Sequence, residues 1–230
     1  PSSRIDSTRI ATFGKRTFMS LMSSSPLLSL SVRSTTATSG GHFAMPASVD
    51  CDAADKIARF VRFCDLFNIP LVNLHDVPGY WIGSEEEWKG ILRHGAKMLY
   101  SYIDATVPKV TVVVRKSFAG AYTGMCCKDT GADFMFAWPI ARICIVGAET
   151  AASIIFAREI KEADDPKAIK AQRIAEYRDL FENPYCAAER GFVDDVIMPS
   201  ETRKYINRAL DALENKNVVR PWRKYSNINL

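Results

Sequence analysis

Long apolar runs are missing from this 230-residue chain: no stretch approaches the ~20 residues that a helix needs to cross a bilayer. Cys-x-x-Cys pairs are missing too. The six cysteines (Cys51, Cys64, Cys126, Cys127, Cys144, Cys186) have three histidines for company, His42, His75 and His94, and this spacing argues against a structural zinc site; no metal is expected. Several of the cysteines sit inside apolar patterns, so they are expected to be reduced, buried thiols in a reducing compartment. No Gly-x-Gly-x-x-Gly and no Walker pattern follows a candidate strand, which weighs against dinucleotide and P-loop sites.

Acid is scarce at one end. Residues 1–49 carry five basic residues (Arg4, Arg9, Lys15, Arg16, Arg33) against the single acid Asp6. Removing these from the 30 basic and 26 acidic residues of the chain leaves 25 of each in 50–230. The part expected to fold is therefore neutral, and neither a nucleic-acid partner nor a membrane is expected. Residues 1–49 are rich in Ser and Thr, as in Ser34-Thr-Thr-Ala-Thr-Ser-Gly-Gly41, a composition similar to a mitochondrial transit peptide. A matrix location follows if that is its role; a disordered tail, with a cytoplasmic location, is the alternative. One domain is expected over 50–230.

Within that domain, Asp50 or Asp52 caps a helix reaching about Phe67, with Ile57, Phe60, Val61, Cys64 and Phe67 on one face. Leu71–Leu74 reads as a strand ending at the Asp76-Val-Pro-Gly79 turn. A helix is expected over Trp88–Tyr102 with Ile91, Leu92, Leu99 and Tyr102 inward, and a buried strand over Val110–Val114. A helix over Tyr122–Lys128 and strands at Phe134–Trp138 and Ile143–Val146 come next. Helices over Thr150–Glu159 (Ala151, Ile154 and Ile155 inward) and from Asp164 to Glu182 follow, with a stop at Asn183-Pro184. Ser200 is expected to cap a last helix with Ile206, Leu210 and Leu213 inward. Strands and helices alternate without internal repeats, which argues an α/β fold.

The stretch Lys109–Met125 carries the most chemical information. A β-branched run breaks into Ala119, Gly120 and Ala121, where backbone N–H groups have almost no side chain to shield them. Such a turn at the start of a helix can hold a negatively charged oxygen, a device used to stabilise oxyanions, or it can be a tight packing turn.

Several motifs in order extend this reading: Asp76-Val-Pro-Gly-Tyr80, Gly90-Ile-Leu-Arg-His-Gly-Ala-Lys-Met-Leu-Tyr100, Val107–Lys116, Ala137-Trp-Pro139, Val146-Gly-Ala-Glu149, Asn183-Pro-Tyr185, Ala188–Ile197 and Arg220-Pro-Trp-Arg-Lys224. Together they resemble the carboxyltransferase (β) subunit of biotin-dependent acyl-CoA carboxylases, propionyl-CoA carboxylase β-like, over about 51–230. The resemblance implies a crotonase-like (ClpP/crotonase) fold of ββα units, of which this chain carries the second, biotin-side half. The half that takes the acyl-CoA is expected to have no counterpart among these motifs.

The implied reaction moves a carboxyl group from N1′ of carboxybiotin to the α-carbon of a short or medium acyl-CoA. The biotin arrives on a biotin carboxylase/biotin carrier α subunit, and a dimer-based homo-oligomer, a hexamer by resemblance, is implied as well. The matching positions for the biotin-side oxyanion donors are the amides of Gly120 and Ala121, with Gly79, Ala119 and Tyr122 around the biotin. Thr123, where propionyl-CoA-type members usually have Asp, marks acyl-chain choice. Ala119 replaces a common glycine, so its Cβ crowds the turn if φ there is positive. The rival expectation is a non-catalytic fragment keeping fold and oligomer surface alone. A hydratase would need pocket carboxylates such as Glu85–Glu87, here expected in a solvent-facing acidic loop. His75 and Asp76 are expected to cap a turn or line the pocket. His94 with Arg93 is expected to be a solvated or interface pair, Cys126-Cys127 to be core thiols on a helix, and the basic-aromatic tail to dock on a neighbouring subunit.

Overall fold

Asp50 starts the first helix as expected. Its carboxylate accepts from the Ala53 N–H at 2.7 Å and opens α1 (Cys51–Leu66). The computed structural model describes residues 48–219, so the Arg220–Lys224 tail and nearly all of the leader lie outside the described residues. Val49, the last residue of the stretch read as leader, is wholly buried; its amide donates to Gly79 O and its carbonyl accepts from Trp81 N–H. On α1, Ile57, Val61 and Cys64 face the core, whereas Phe67 lies past the helix end and is exposed.

Strand β1 (Leu71–Val77) runs three residues beyond its expected end, with Leu71, Asn73, His75 and Val77 buried in alternation. The expected Trp88–Tyr102 helix is two helices, α2 (Ser84–Lys89) and α3 (Ile91–Asp104), divided by Gly90 at φ 89°. That left-handed residue, which glycine adopts without a Cβ penalty, re-aims the chain. Ile91, Met98 and Tyr102 then point inward, and Leu92, expected inward, is 80% exposed.

The spine of the sheet is β2 (Lys109–Phe118), longer at its C-terminal end than the β-branched run suggests. It pairs in parallel with β1 along one edge. Along the other it pairs first with β3 (Phe134–Ala137) and then with β4 (Arg142–Cys144), and β5 (Asp195–Val196) joins β3. All of these pairings are parallel, and the sheet is covered on both faces, as parallel sheets require. Helices α1 and α3 pack on one face, and α9 (Thr202–Ala212) packs through Ile206 and Ala209 against Val110, Val112 and Phe136 on the other. Glu201, not Ser200, precedes α9 as its cap residue, while Ile206 is buried and Leu210 and Leu213 are partly buried, as expected.

After β2, helix α4 (Ala119–Gly124) begins inside the small-residue turn itself, not at Tyr122. Beyond β4 come α5 (Ala148–Ile155), α6 (Ala157–Glu162), α7 (Pro166–Phe181) and α8 (Pro184–Glu189). Neither α6 nor α7 contains a buried residue, and Ile154 and Ile155, expected inward, are exposed. This arm is tied down at its end. The buried Glu182 pairs with Arg142 of β4, lies 3.6 Å from Arg178 Nε, and accepts from the Ala148 N–H. Asn183, expected as a stop, also caps α8 by accepting from the Cys186 N–H. All six cysteines are free thiols; Cys126 and Cys127 are buried, but between elements and not on a helix, Cys126 at φ 75°.

Candidate functional site

Strands β1 and β2 end side by side, with Val77 in register with Ser117. Ligands of open α/β sheets bind outside the carboxyl ends of such strands. At this edge the chain turns from Phe118 into α4 through Ala119, which takes φ 52°, the positive value at which a Cβ is a strain. At the first turn of a helix the amides have no i−4 acceptor inside it, and no residue among those described accepts from the Gly120 or Ala121 N–H from elsewhere. Ala119 and Gly120 are exposed, whereas Ala121 is wholly buried. Of the expected donor pair, then, Gly120 is an exposed residue and Ala121 a buried one. An L-residue held left-handed costs roughly 1–2 kcal/mol, partly offset in glycine by its larger loss of backbone freedom. Ala119→Gly is therefore expected to stabilise the chain by about 1 kcal/mol in urea titration; unchanged or lower stability would mean the turn is unstrained.

Sequence reasoning missed what packs beneath this turn. The ring of Tyr80, just after Gly79, lies against three glycines: Gly95 of α3 and both Gly120 and Gly124 of α4. A methyl at Gly95 would sit 3.0 Å from Tyr80 Cε1 and one at Gly120 3.2 Å from Cε2, while one at Gly124 would overlap the Tyr80 hydroxyl and reach 2.8 Å from Met98 Cε. The small residues of the turn thus serve packing as well as an open amide. Gly124→Ala is expected to destabilise by about 1–3 kcal/mol through overpacking. Adding Tyr80→Phe should recover part of that loss, and strict additivity in a thermal double-mutant cycle would show that the hydroxyl is not the obstacle.

The other expected site residues are dispersed around the turn. Gly79 is buried at φ 146°, and its carbonyl accepts from Val49, so its glycine answers a backbone need. Tyr122 is half-buried against the cluster that includes Val113 and Met135, and its buried hydroxyl makes no hydrogen bond among the described residues. Burial, with Cys127 and Asp129 nearby, pushes its ionisation upward. Thr123 is half-buried, and its carbonyl accepts from the Thr130 hydroxyl at 3.2 Å.

His75 is not at a turn: it is wholly buried, 3.0 Å from Ser117 Oγ through Nδ1 and 2.8 Å from Met125 O through Nε2. A carbonyl can only accept, so Nε2 carries the proton and Nδ1 accepts from the Ser117 hydroxyl. His94 bonds Asp55 of α1 at 2.8 Å, an internal tie and not a pair with Arg93. Asp76, beside His75, holds Arg115 by a two-pronged contact at 2.8–3.1 Å. Of the acidic residues 85–87, Glu86 is buried on α2, accepting from Cys51 N–H and from Lys89, which holds its carboxyl below its ordinary value. That carboxylate is committed to structure, while Glu85 and Glu87 are exposed, on the helix and not in a loop. Among the described residues no cluster of side chains could hold a metal ion, and no helix is long and apolar enough to cross a membrane.

Comparison with known proteins identifies the family and the fold. The profile of the family described as the carboxyl transferase domain covers residues 39–228, including part of the stretch read as leader. The methylmalonyl-CoA carboxyltransferase 12S subunit of Propionibacterium freudenreichii subsp. shermanii is 55% identical over 183 residues, 80% of this chain and 35% of that protein. A propionyl-CoA carboxylase beta chain of Saccharopolyspora erythraea is 50% identical over 190 residues, 81% of this chain and 35% of its own. Among solved structures, a transcarboxylase 12S crystal structure in hexamer assembly, with methylmalonyl-CoA and methylmalonic acid bound, superposes with a TM-score of 0.77 at 54% identity, over 80% of this chain and 35% of that one. The geranyl-CoA carboxylase beta subunit of P. aeruginosa gives 0.64 at 26% identity, over 80% and 35%. The chain thus spans about a third of the length of the curated relatives it matches. The α/β architecture is the crotonase-like one that the motifs implied, and by its sequence and its fold the chain belongs to the carboxyl transferase domain family.

Proposed function

We propose that residues 50–230 form the biotin-side half of an acyl-CoA carboxyltransferase, moving a carboxyl group from carboxybiotin to the α-carbon of a short or medium acyl-CoA. The observation that carries this reading is the exposed Gly120, with an amide that no other described residue occupies, at the carboxyl end of the central strand. Such a donor fits the ureido oxygen of biotin, a neutral acceptor that gains negative charge as the carboxyl departs. When bound, biotin supplies the carboxyl group and a ureido nitrogen able to take the α-proton.

The protein's part is then positional. The Gly120 N–H donates to the ureido oxygen, the Ala121 N–H lies behind it, and the positive end of α4 adds to the field. Ala119 and Tyr122 border the biotin, and Thr123 bears on acyl-chain choice. The reading needs a biotin carrier subunit, a CoA-binding half, and assembly with further copies of the chain. The relatives are bacterial and archaeal, so a mitochondrial matrix location finds no support among them and forms no part of the proposal. The burial of Ala121 and the strained Ala119 favour a second reading, a fragment that keeps the fold but does not turn over.

Labelled carboxyl transfer from a carboxylated biotin carrier separates the two. With the chain and a CoA-binding half combined, label is expected to appear in propionyl-CoA or methylcrotonyl-CoA. If neither thioester gains label although the carrier still binds, the non-catalytic reading holds.

A further inference from the structure

We infer that His75 is a positioning residue for the Gly120 turn, one imidazole fastening the strand that enters α4 to the segment that leaves it. The inference rests on the reading of Gly120 as an oxyanion donor. Ser117, held by Nδ1 at 3.0 Å, lies two residues before Ala119; Met125, held by Nε2 at 2.8 Å, directly follows Gly124. The two anchor points therefore bracket the whole of α4. Between and beside them are two non-glycine residues in left-handed conformations, Ala119 at φ 52° and Cys126 at φ 75°. Conformations of this kind persist where the surroundings over-determine them, and here the surroundings are side chains of β1 and β2.

On β2, Thr111 donates to the Cys126 carbonyl at 2.7 Å, so the exit of the segment is tethered at two successive carbonyls. Asn73, one step back on the inward row of β1, links the Tyr102 hydroxyl (2.9 Å) to Thr111 (3.3 Å). His75 carries this buried polar row to the end that enters the turn. It lies inside the core and cannot itself meet a ligand, so it acts through the direction in which Gly120 points. Misplacing a donor by an ångström is enough to slow a reaction by orders of magnitude, since the alignment is needed in the transition state.

Two variants test this in the chain assembled with a CoA-binding half. His75→Leu removes both bonds at similar volume, whereas His75→Gln keeps one donor and one acceptor. For His75→Leu, kcat is expected to fall about tenfold or more with the acyl-CoA KM changed less than about twofold, and His75→Gln should recover most of the loss. In the chain alone, the Met125 amide, which bonds Ala121 O at 3.1 Å, should exchange about tenfold faster or more, while amides of α9 keep their protection. Should His75→Leu not fold, Ser117→Ala, which removes one bond, takes its place in both measurements. A folded variant with unchanged kcat and unchanged Met125 exchange overturns the inference. If no variant transfers label, the parent included, it is the functional reading that fails, and Met125 exchange alone then decides: acceleration upholds the clamp and its absence rejects it.

Discussion

Gly120→Pro is expected to slow carboxyl transfer by about 10²–10³-fold, the loss seen when one preorganised oxyanion donor is deleted. Proline lacks the N–H, which at the first turn of a helix has no partner within the helix, although its ring also restricts the backbone of Ala119 before it. The proline ring also introduces carbon at a position where a Cβ would lie 3.2 Å from the Tyr80 ring. Gly120→Ala controls for this contact, since it adds the same carbon and keeps the amide. The alanine variant is expected to lose less than about tenfold, a smaller barrier increase than deletion of a donor. Equal losses in the two variants would assign the role of Gly120 to packing beneath the turn. Circular dichroism and the urea midpoint of each variant show whether the fold has been kept.

Acid should destabilise the chain through His75 before its carboxylates titrate. Burial lowers the imidazole from its ordinary 6.5 to about 4, opposed in part by the bond to Met125. The folded state thus resists a proton that the unfolded chain accepts. Stability is complete above about pH 6.5, declines by roughly 1.4 kcal/mol per unit as pH falls, and levels off near the folded value after a total loss of about 3 kcal/mol. Carboxylates held below their ordinary range, such as Glu86 beside Lys89 and Asp55 between His94 and Lys97, lose their contribution at lower pH. The interval between about 4.5 and 6.5 therefore belongs mainly to the imidazole. Urea unfolding across it should show a steep slope in the parent and a shallow one in His75→Gln. The same slope in both would mean that His75 takes up its proton without unfolding.

Much of the fold was legible in local chemistry. Asp50 and Asp165 cap their helices through side-chain acceptors, as their types and positions suggest. The β-branched run of β2 is buried where a parallel sheet covered on both faces requires it. Errors gathered where tertiary context decides. The row Leu71, Asn73, His75, Val77 alternates inward, but two of its four members are polar, so the strand looked finished at Leu74. Leu92, Ile154 and Ile155 are apolar and exposed, which periodicity cannot distinguish from core.

For the site, the turn at 119–121 was readable because small residues after a buried strand leave the backbone bare. The opposite accessibilities of Gly120 and Ala121 were not, since they depend on the rotation of α4 against Tyr80. Neither Tyr80 nor Ser117 carries a local sign of its task. The spacing of Gly95, Gly120 and Gly124 does hold a trace of the first, because a large ring needs several small neighbours.

The most direct test is the amide resonance of Gly120, followed while free biotin is added to the isotope-labelled chain. The predicted result is a saturable downfield shift at Gly120, with smaller changes at Ala119 and Tyr122 and none in the distant α9. A Gly120 resonance that stays fixed while biotin perturbs another part of the surface would contradict the account.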